Sequence, residues 1–272
     1  MRAALDLPGS IKHAALRLMP WVQTAWATHR ATGLRFLVSP RDVVGRTIMR
    51  RRGYEPELTD WLLAAINAGP GGVFVDVGAN LGWFTLQAAR LEKVQRGVAI
   101  EPDVGNHRLL QTNLERNGLA SRVDAVACAV GKGSGLALLS RYKGSNLGKH
   151  SLAVDHGQGG TWVPVESLDT LLDRLGLAQA PLAAIKVDVE GYEPLVMQGA
   201  QGALARARAL LVELSPALSR AGGLAFLHAA GFVALRGLPQ APIRVLHVRM
   251  LRAELEALVK ETAISSPAPP HA

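Results

Sequence analysis

From Gly71 onward, short β-branched runs alternate with amphipathic helical ones, and this alternation constrains the fold more than any other feature of the chain. Val73–Val77 is a continuous apolar strand, and Leu81–Leu91 follows as a helix. Gly97–Ile100 is the next strand. A helix then runs from Asp103 to about Asn117 with Leu110 and Leu114 on one face, and Val123–Val130 is a third strand. Apolar strands joined by helices imply an α/β fold with a parallel sheet covered on both faces. The alternation lapses between Gly131 and Glu166. There Leu136–Ser140 and Thr161–Val165 are predicted strands, and Lys143–Gly160 is a loop of about 18 residues, a length usually tied to function. It resumes with Leu168, Leu171, Leu172 and Leu175 at helical spacing. Ala184–Val189 is then a buried strand, Glu193–Arg206 a helix and Ala209–Leu214 a strand. Ser219–Ala230 is a helix closed by Gly231, and Phe232–Gly237 and Ile243–Met250 form a final antiparallel pair. Leu251, Leu255, Leu258 and Val259 mark a last helix.

The first chemical signal is Val75-Asp76-Val77-Gly78-Ala79-Asn80-Leu81-Gly82, which ends one strand and opens a helix. It therefore lies at the carboxyl edge of the sheet, where open α/β folds bind ligands. Gly78 and Gly82 would let backbone approach a ligand with no Cβ in the way. The spacing is D-x-G-x-x-x-G, not the G-x-G-x-x-G of a dinucleotide fingerprint. Asp76 would repel a pyrophosphate and suits a ligand with an ammonium group and a positive centre, as S-adenosylmethionine has. Glu101 ends the next strand, and a carboxylate there can accept both hydroxyls of a ribose.

A further signal is Ile185-Lys186-Val187-Asp188-Val189-Glu190-Gly191. Alternation along an extended strand puts Lys186, Asp188 and Glu190 on one side. Charges so close to a core need a task or a partner. They either close the strand end as a Lys186–Asp188 ion pair or stand beside the donor pocket to orient or deprotonate an acceptor. His150, in the Gly-rich loop, is a third candidate base or a solvated loop histidine. The remaining histidines have no zinc-ligand spacing, so no metal site is expected.

These segments resemble the FkbM family of S-adenosylmethionine-dependent methyltransferases. The matching pieces are Val75 through Thr85, Ile100-Glu101-Pro102, Cys128 through Gly131, Leu168-Asp169, Ile185 through Tyr192 and Val212-Glu213-Leu214, in order over about residues 33–235. The resemblance implies a class I, Rossmann-like methyltransferase fold with a seven-stranded, mostly parallel sheet. It also implies O-methylation of a hydroxyl on a sugar, glycan or secondary metabolite. Carried over by position, Asp76, Gly78, Ala79, Asn80 and Gly82 would line the methionine end of S-adenosylmethionine. Glu101, with Pro102, would hold the ribose, and Cys128, Ala129 and Val130 would lie near the adenine. Asp188 and Glu190 would face the reacting centre, and Glu213 would line the acceptor pocket or pair with an arginine. The rival readings are an NAD-dependent oxidoreductase, which lacks its third glycine here, a nucleic-acid methyltransferase, which lacks an aromatic acceptor clamp, and a non-catalytic adaptor.

Ahead of this pattern, residues 1–70 form a basic N-terminal segment and small α/β cap, residues 71–264 the methyltransferase domain, and 265–272 a Pro/Ala-rich tail expected to be disordered. A helix is expected over Ser10–Met19, a second short one over Trp21–Trp26, a strand over Gly33–Val38 continuing through a turn to Val43–Val44, and a helix over Pro56–Asn67. The net charge of +8 resides entirely in residues 1–52. That segment could meet an anionic surface or a twin subunit, while the neutral remainder argues against nucleic acid. Residues 1–32 are expected to be dispensable for cofactor binding. The lone Cys128 cannot form an internal disulfide and fits a reducing compartment. No apolar run approaches the roughly 18 residues of a spanning helix, and no secretion pattern opens the chain. A soluble cytoplasmic enzyme is the expectation.

Overall fold

The computed structural model describes residues 21–140, 159–237 and 243–248 throughout, together with 10, 11, 13, 16, 19, 142, 150–154, 156 and 157. The expected last helix over Leu251–Val259, the tail, and half each of the Ser10–Met19 helix and of the loop 143–160 lie outside the described residues.

The chain begins with a hairpin of β1 (Ala25–Thr28) and β2 (Arg35–Val38), paired antiparallel. The expected helix over Trp21–Trp26 does not form: Trp21–Thr24 are irregular and Ala25–Trp26 open this first strand, where the guanidinium groups of Arg35 and Arg116 stack on the Trp26 ring, 5.3 and 5.7 Å from its centroid. Such stacking stabilises an extended segment that local spacing alone would leave helical. Val43 and Val44 do not extend a strand either. They open the helix Val43–Arg51, whose N-cap Asp42 accepts the Gly45 N–H at 2.9 Å. The helix Pro56–Asn67 follows as expected.

The central layer starts with β3 (Gly72–Val77), β4 (Val94–Ile100) and β5 (Val123–Val126), joined by the helices Trp83–Ala89 and Val104–Arg116. The expected third strand stops at Val126. Ala129–Val130 form β6, which leaves the main sheet to pair with β8 (Gly160–Glu166), itself antiparallel to β7 (Gly135–Ser140). After the helix Leu168–Arg174 come β9 (Leu182–Val187) and β10 (Ala209–Leu214), then β11 (Val233–Gly237) and β12 (Ile243–Val248). The order is β11-β12-β10-β9-β3-β4-β5. The five strands from β10 to β5 run parallel, and β12 and β11 extend one edge antiparallel.

The helix expected over Glu193–Arg206 breaks in two, Glu193–Gln198 and Gln201–Arg206. A Cβ on Gly199 would lie 1.9 Å from the Gly131 carbonyl oxygen, so the chain passes closely behind β6 there. The second piece is capped from outside by Asp169, whose carboxylate accepts the Gly202 and Ala203 N–H groups at 2.9 and 2.7 Å. The expected Ser219–Ala230 helix is likewise two, Pro216–Arg220 and Gly223–Ala229.

Strand alternation divides the core. Val73, Val75 and Val77 face a cluster with Leu171, Val196 and Leu204, whereas Phe74 faces one with Ile48, Leu62 and Leu86. The cap residues Phe36, Val38 and Leu62 share that second cluster with the sheet. Two asparagines of the Val104–Arg116 helix and its C-cap clasp β2 as a strand would. Asn113 accepts the Leu37 N–H at 2.6 Å and donates to Leu37 O and Leu81 O, and Asn117 accepts the Arg35 N–H and donates to Arg35 O. No helix of the described residues is long and apolar enough to cross a membrane.

Candidate active site

Parallel strands bring their carboxyl ends to one edge, and helices entering behind them leave a crevice there. A cavity of ≈ 990 Å³, including its open mouth, lies at the ends of β9, β3 and β4. Gly78, Ala79 and Asn80 line it from the segment after β3, and Glu101 and Pro102 from the end of β4. Ala129 and Val130 of β6 also line it, as do Asp188, Glu190 and His150. Of the residues singled out from the sequence, Asp76, Gly82 and Glu213 do not line it; Glu213 is buried on β10.

Asp76 is fully buried on β3 opposite Lys186 on β9. Lys186 Nζ lies 3.2 Å from Asp76 Oδ1 and 3.8 Å from Asp188 Oδ2, and it donates to the Gly78 carbonyl at 2.6 Å. Thr85 Oγ1 donates to Asp76 Oδ2 at 2.6 Å. The Asp76 charge is therefore met from inside the protein, and its carboxylate is not offered to a ligand. Gly82 takes φ +93, and a Cβ there would meet Leu110 Cδ1 at 2.6 Å, so this glycine serves helix packing. At Gly78 an added Cβ would lie 2.0 Å from the Asp188 carbonyl oxygen. The room it leaves is filled by the end of β9.

Like Lys186, Asp188 and Glu190, and unlike Asp76, Glu101 does line the cavity. Its Oε2 accepts the Asn80 N–H at 2.8 Å and its Oε1 the Asp103 N–H at 2.9 Å. Burial pushes its carboxyl up to about 7, against the pull of these two hydrogen bonds. A carboxylate has about four lone-pair sites, so acceptor capacity remains after two are used. Beside it Cys128 lines the same cavity, and burial raises its thiol to about 11. It is a packing group, not a nucleophile.

Extended alternation does not persist to Glu190, because β9 ends at Val187 and Glu190 has φ +52. Asp188 and Glu190 reach the cavity from a turn instead. The Asp188 N–H donates to Val77 O at 3.1 Å, which ties that turn to β3. His150 Nδ1 accepts the Tyr142 N–H at 3.0 Å. With Nδ1 so engaged, a neutral imidazole carries its proton on Nε2 and presents a donor.

Sequence reasoning missed the aromatic part of the lining, namely Tyr54 from the cap, Trp83 and Phe84 from the first helix after β3, and Tyr192. Trp83 and Phe84 follow Gly82 directly and were readable as part of that segment. Tyr54 carried no local signal, since its position depends on the cap packing against Trp83.

The chain matches the methyltransferase FkbM domain over residues 76–240, more than half its length. No curated protein matches it. Similar solved structures include the O-methyltransferase from Bacillus cereus in complex with SAH, at 14% identity and TM-score 0.44, covering 72% of this chain and 82% of that one. The O-methyltransferase TomG from Streptomyces achromogenes, involved in tomaymycin synthesis and solved with SAM, is 16% identical with TM-score 0.46, covering 73% and 82%. The human methyltransferase 10 domain containing protein is 13% identical with TM-score 0.45, covering 91% and 97%. At these values the likeness is remote.

Proposed function

Because the chain belongs to the FkbM methyltransferase family, we propose that it is an S-adenosylmethionine-dependent O-methyltransferase of class I, Rossmann-like architecture. Its acceptor is a hydroxyl of a sugar, glycan or secondary metabolite. The observation that carries the reading is Glu101, a desolvated carboxylate with spare acceptor capacity at the end of β4, facing the cavity beside an apolar shelf of Ile100, Ala129 and Val130. That donor set fits an adenosine without phosphates. Ribose hydroxyls donate to Glu101, the adenine rests against the shelf, and Gly78 to Asn80 border the methionine end. When bound, S-adenosylmethionine supplies a methyl group on a sulfonium centre that departs as a neutral thioether.

The chain's own contribution is alignment and proton handling. Holding the acceptor oxygen in line supplies much of the rate. Asp188, with its side chain still 18% exposed and Lys186 at 3.8 Å, is the base that takes the hydroxyl proton. Glu190 holds the hydroxyl from the same turn. His150, its Nδ1 engaged, serves as a donor to the acceptor. Binding of S-adenosylmethionine, S-adenosylhomocysteine and NAD by isothermal titration tests the assignment. The two adenosyl ligands should bind and NAD should not; binding of NAD alone overturns it.

A further inference from the structure

Two carboxylates proposed to work on an acceptor sit on a turn, not on a strand, so something must fix that turn. Glu190 takes φ +52, a left-handed conformation uncommon for a residue with a side chain, and Gly191 follows at φ +100. The peptide unit between them is held at both ends. Its carbonyl, that of Glu190, accepts Ser151 Oγ at 2.8 Å. Its N–H, that of Gly191, donates to Glu193 Oε1 at 3.1 Å, and the same oxygen accepts the Val189 N–H at 3.3 Å. Glu193 is fully buried, and its Oε2 accepts Ser215 Oγ at 2.5 Å, just past the end of β10. Ser215 Oγ in turn accepts the Leu218 N–H at 3.2 Å.

We infer that Glu193 is a positioning residue for the acceptor side of the site. Its carboxylate clamps the turn Val189–Gly191 to the end of β10, and Ser151 closes the clamp from the opposite side. An isolated buried carboxylate is costly, and this one is matched by two backbone donors and one hydroxyl that converge on it. The clamp fixes the backbone from which the Asp188 and Glu190 side chains project into the cavity. Glu193 itself does not line the cavity, so its effect is exerted through those two residues. The inference rests on the reading that they act on an acceptor.

The test is hydrogen–deuterium exchange on the full chain, free and with S-adenosylhomocysteine, for wild type, Glu193→Ala and Glu193→Gln. Glu193→Ala should speed exchange in the segment 189–191 by roughly tenfold or more, as loss of a charge-assisted hydrogen bond implies. β3 and β9 should keep their protection, and S-adenosylhomocysteine affinity should stay within a few-fold of wild type. Glu193→Gln retains an acceptor oxygen for the turn and a donor for Ser215, so it should restore slow exchange. Unchanged exchange in Glu193→Ala, or exchange in Glu193→Gln as fast as in Glu193→Ala, overturns the clamp. Loss of protection across the whole sheet in both variants also overturns it, by making Glu193 a general fold element. If wild type does not bind S-adenosylhomocysteine, the cofactor reading fails while the comparison in the free protein still decides the clamp.

Discussion

Glu101→Gln removes a charge that the fold does not favour, and the consequences for folding and for binding have opposite signs. Raising the Glu101 carboxyl from its ordinary 4.5 to about 7 corresponds to roughly 3 kcal/mol against the ionised form. Between those values the folded protein takes up a proton that the unfolded chain does not. The contribution of Glu101 to stability is therefore greatest below 4.5, declines as pH rises through about 7, and is at its least favourable above that. Ligand binding runs the other way. Ribose hydroxyls donate best to the ionised carboxylate, so wild-type affinity for S-adenosylhomocysteine should be highest above pH 7 and weaken below it, by up to about tenfold per pH unit. The amide cannot titrate, so Glu101→Gln should bind with little pH dependence. It should also lose about 2 kcal/mol at pH 8, roughly 30-fold, because two charge-assisted hydrogen bonds become weaker or are lost. The amide also has one acceptor oxygen where the carboxylate now serves both Asn80 and Asp103. Isothermal titration of both proteins from pH 5.5 to 8.5 reads out these terms, and the variant removes any titration of the ligand itself. Wild-type affinity as flat as the variant's, or a variant within twofold of wild type at pH 8, refutes the ribose assignment.

Asp188→Asn and Glu190→Gln keep the side-chain shapes and remove the charges. On an acceptor found by screening hydroxyl compounds, Asp188→Asn should lower kcat by about 10²–10⁴ while leaving S-adenosylhomocysteine affinity within a few-fold. If both amides turn over nearly as fast as wild type, the carboxylates are structural and His150 is the next residue to change. Asn113→Ala leaves the Leu37 N–H and the Leu37 and Leu81 carbonyls without their side-chain partner. It should cost about 3 kcal/mol in urea unfolding, and a loss under 1 kcal/mol would show that β2 does not depend on that clasp. A chain beginning at Gly33 cuts the β1–β2 hairpin and removes Trp26 and the buried Ala27. It should melt several degrees lower, from about 2 kcal/mol of lost burial and pairing, and an unchanged melting temperature would refute the packing argument for β1.

The parts of the fold legible in the sequence are those whose environment is uniform along the element. β3 and β9 are buried on both faces, so each appears as an apolar run, interrupted only by Asp76 and Lys186, which face each other as an ion pair. Pro56–Asn67 announces itself through its proline and apolar spacing. The misread elements are decided by distant neighbours. The break at Gly199 exists because the Gly131 carbonyl lies behind it, and β5 ends at Val126 because the next residues pair with β8. Trp26 lies in a strand paired with β2, and two arginines, one from β2 and one from the Val104–Arg116 helix, stack on its ring. No local pattern encodes partners of that kind.

The site shows the same division, with a different consequence. The glycine segment locates the cavity correctly, yet its two glycines and its aspartate are required by the protein's own atoms. Gly78 makes room for the Asp188 carbonyl, and Asp76 balances Lys186. Lys186 in turn holds the Gly78 carbonyl, while the Asp188 N–H donates to Val77 O. The two segments that stood out separately in the sequence are thus one packed unit where β3 and β9 end. A substitution at Gly78, Asp76 or Lys186 would shift the backbone that carries Asp188, whether the residue lies behind the cavity, as Asp76 does, or also lines it, as Gly78 and Lys186 do. Their presence in this chain is therefore an argument about the placement of Asp188, and only Glu101 among the charged residues of the first two signals speaks directly for the ligand.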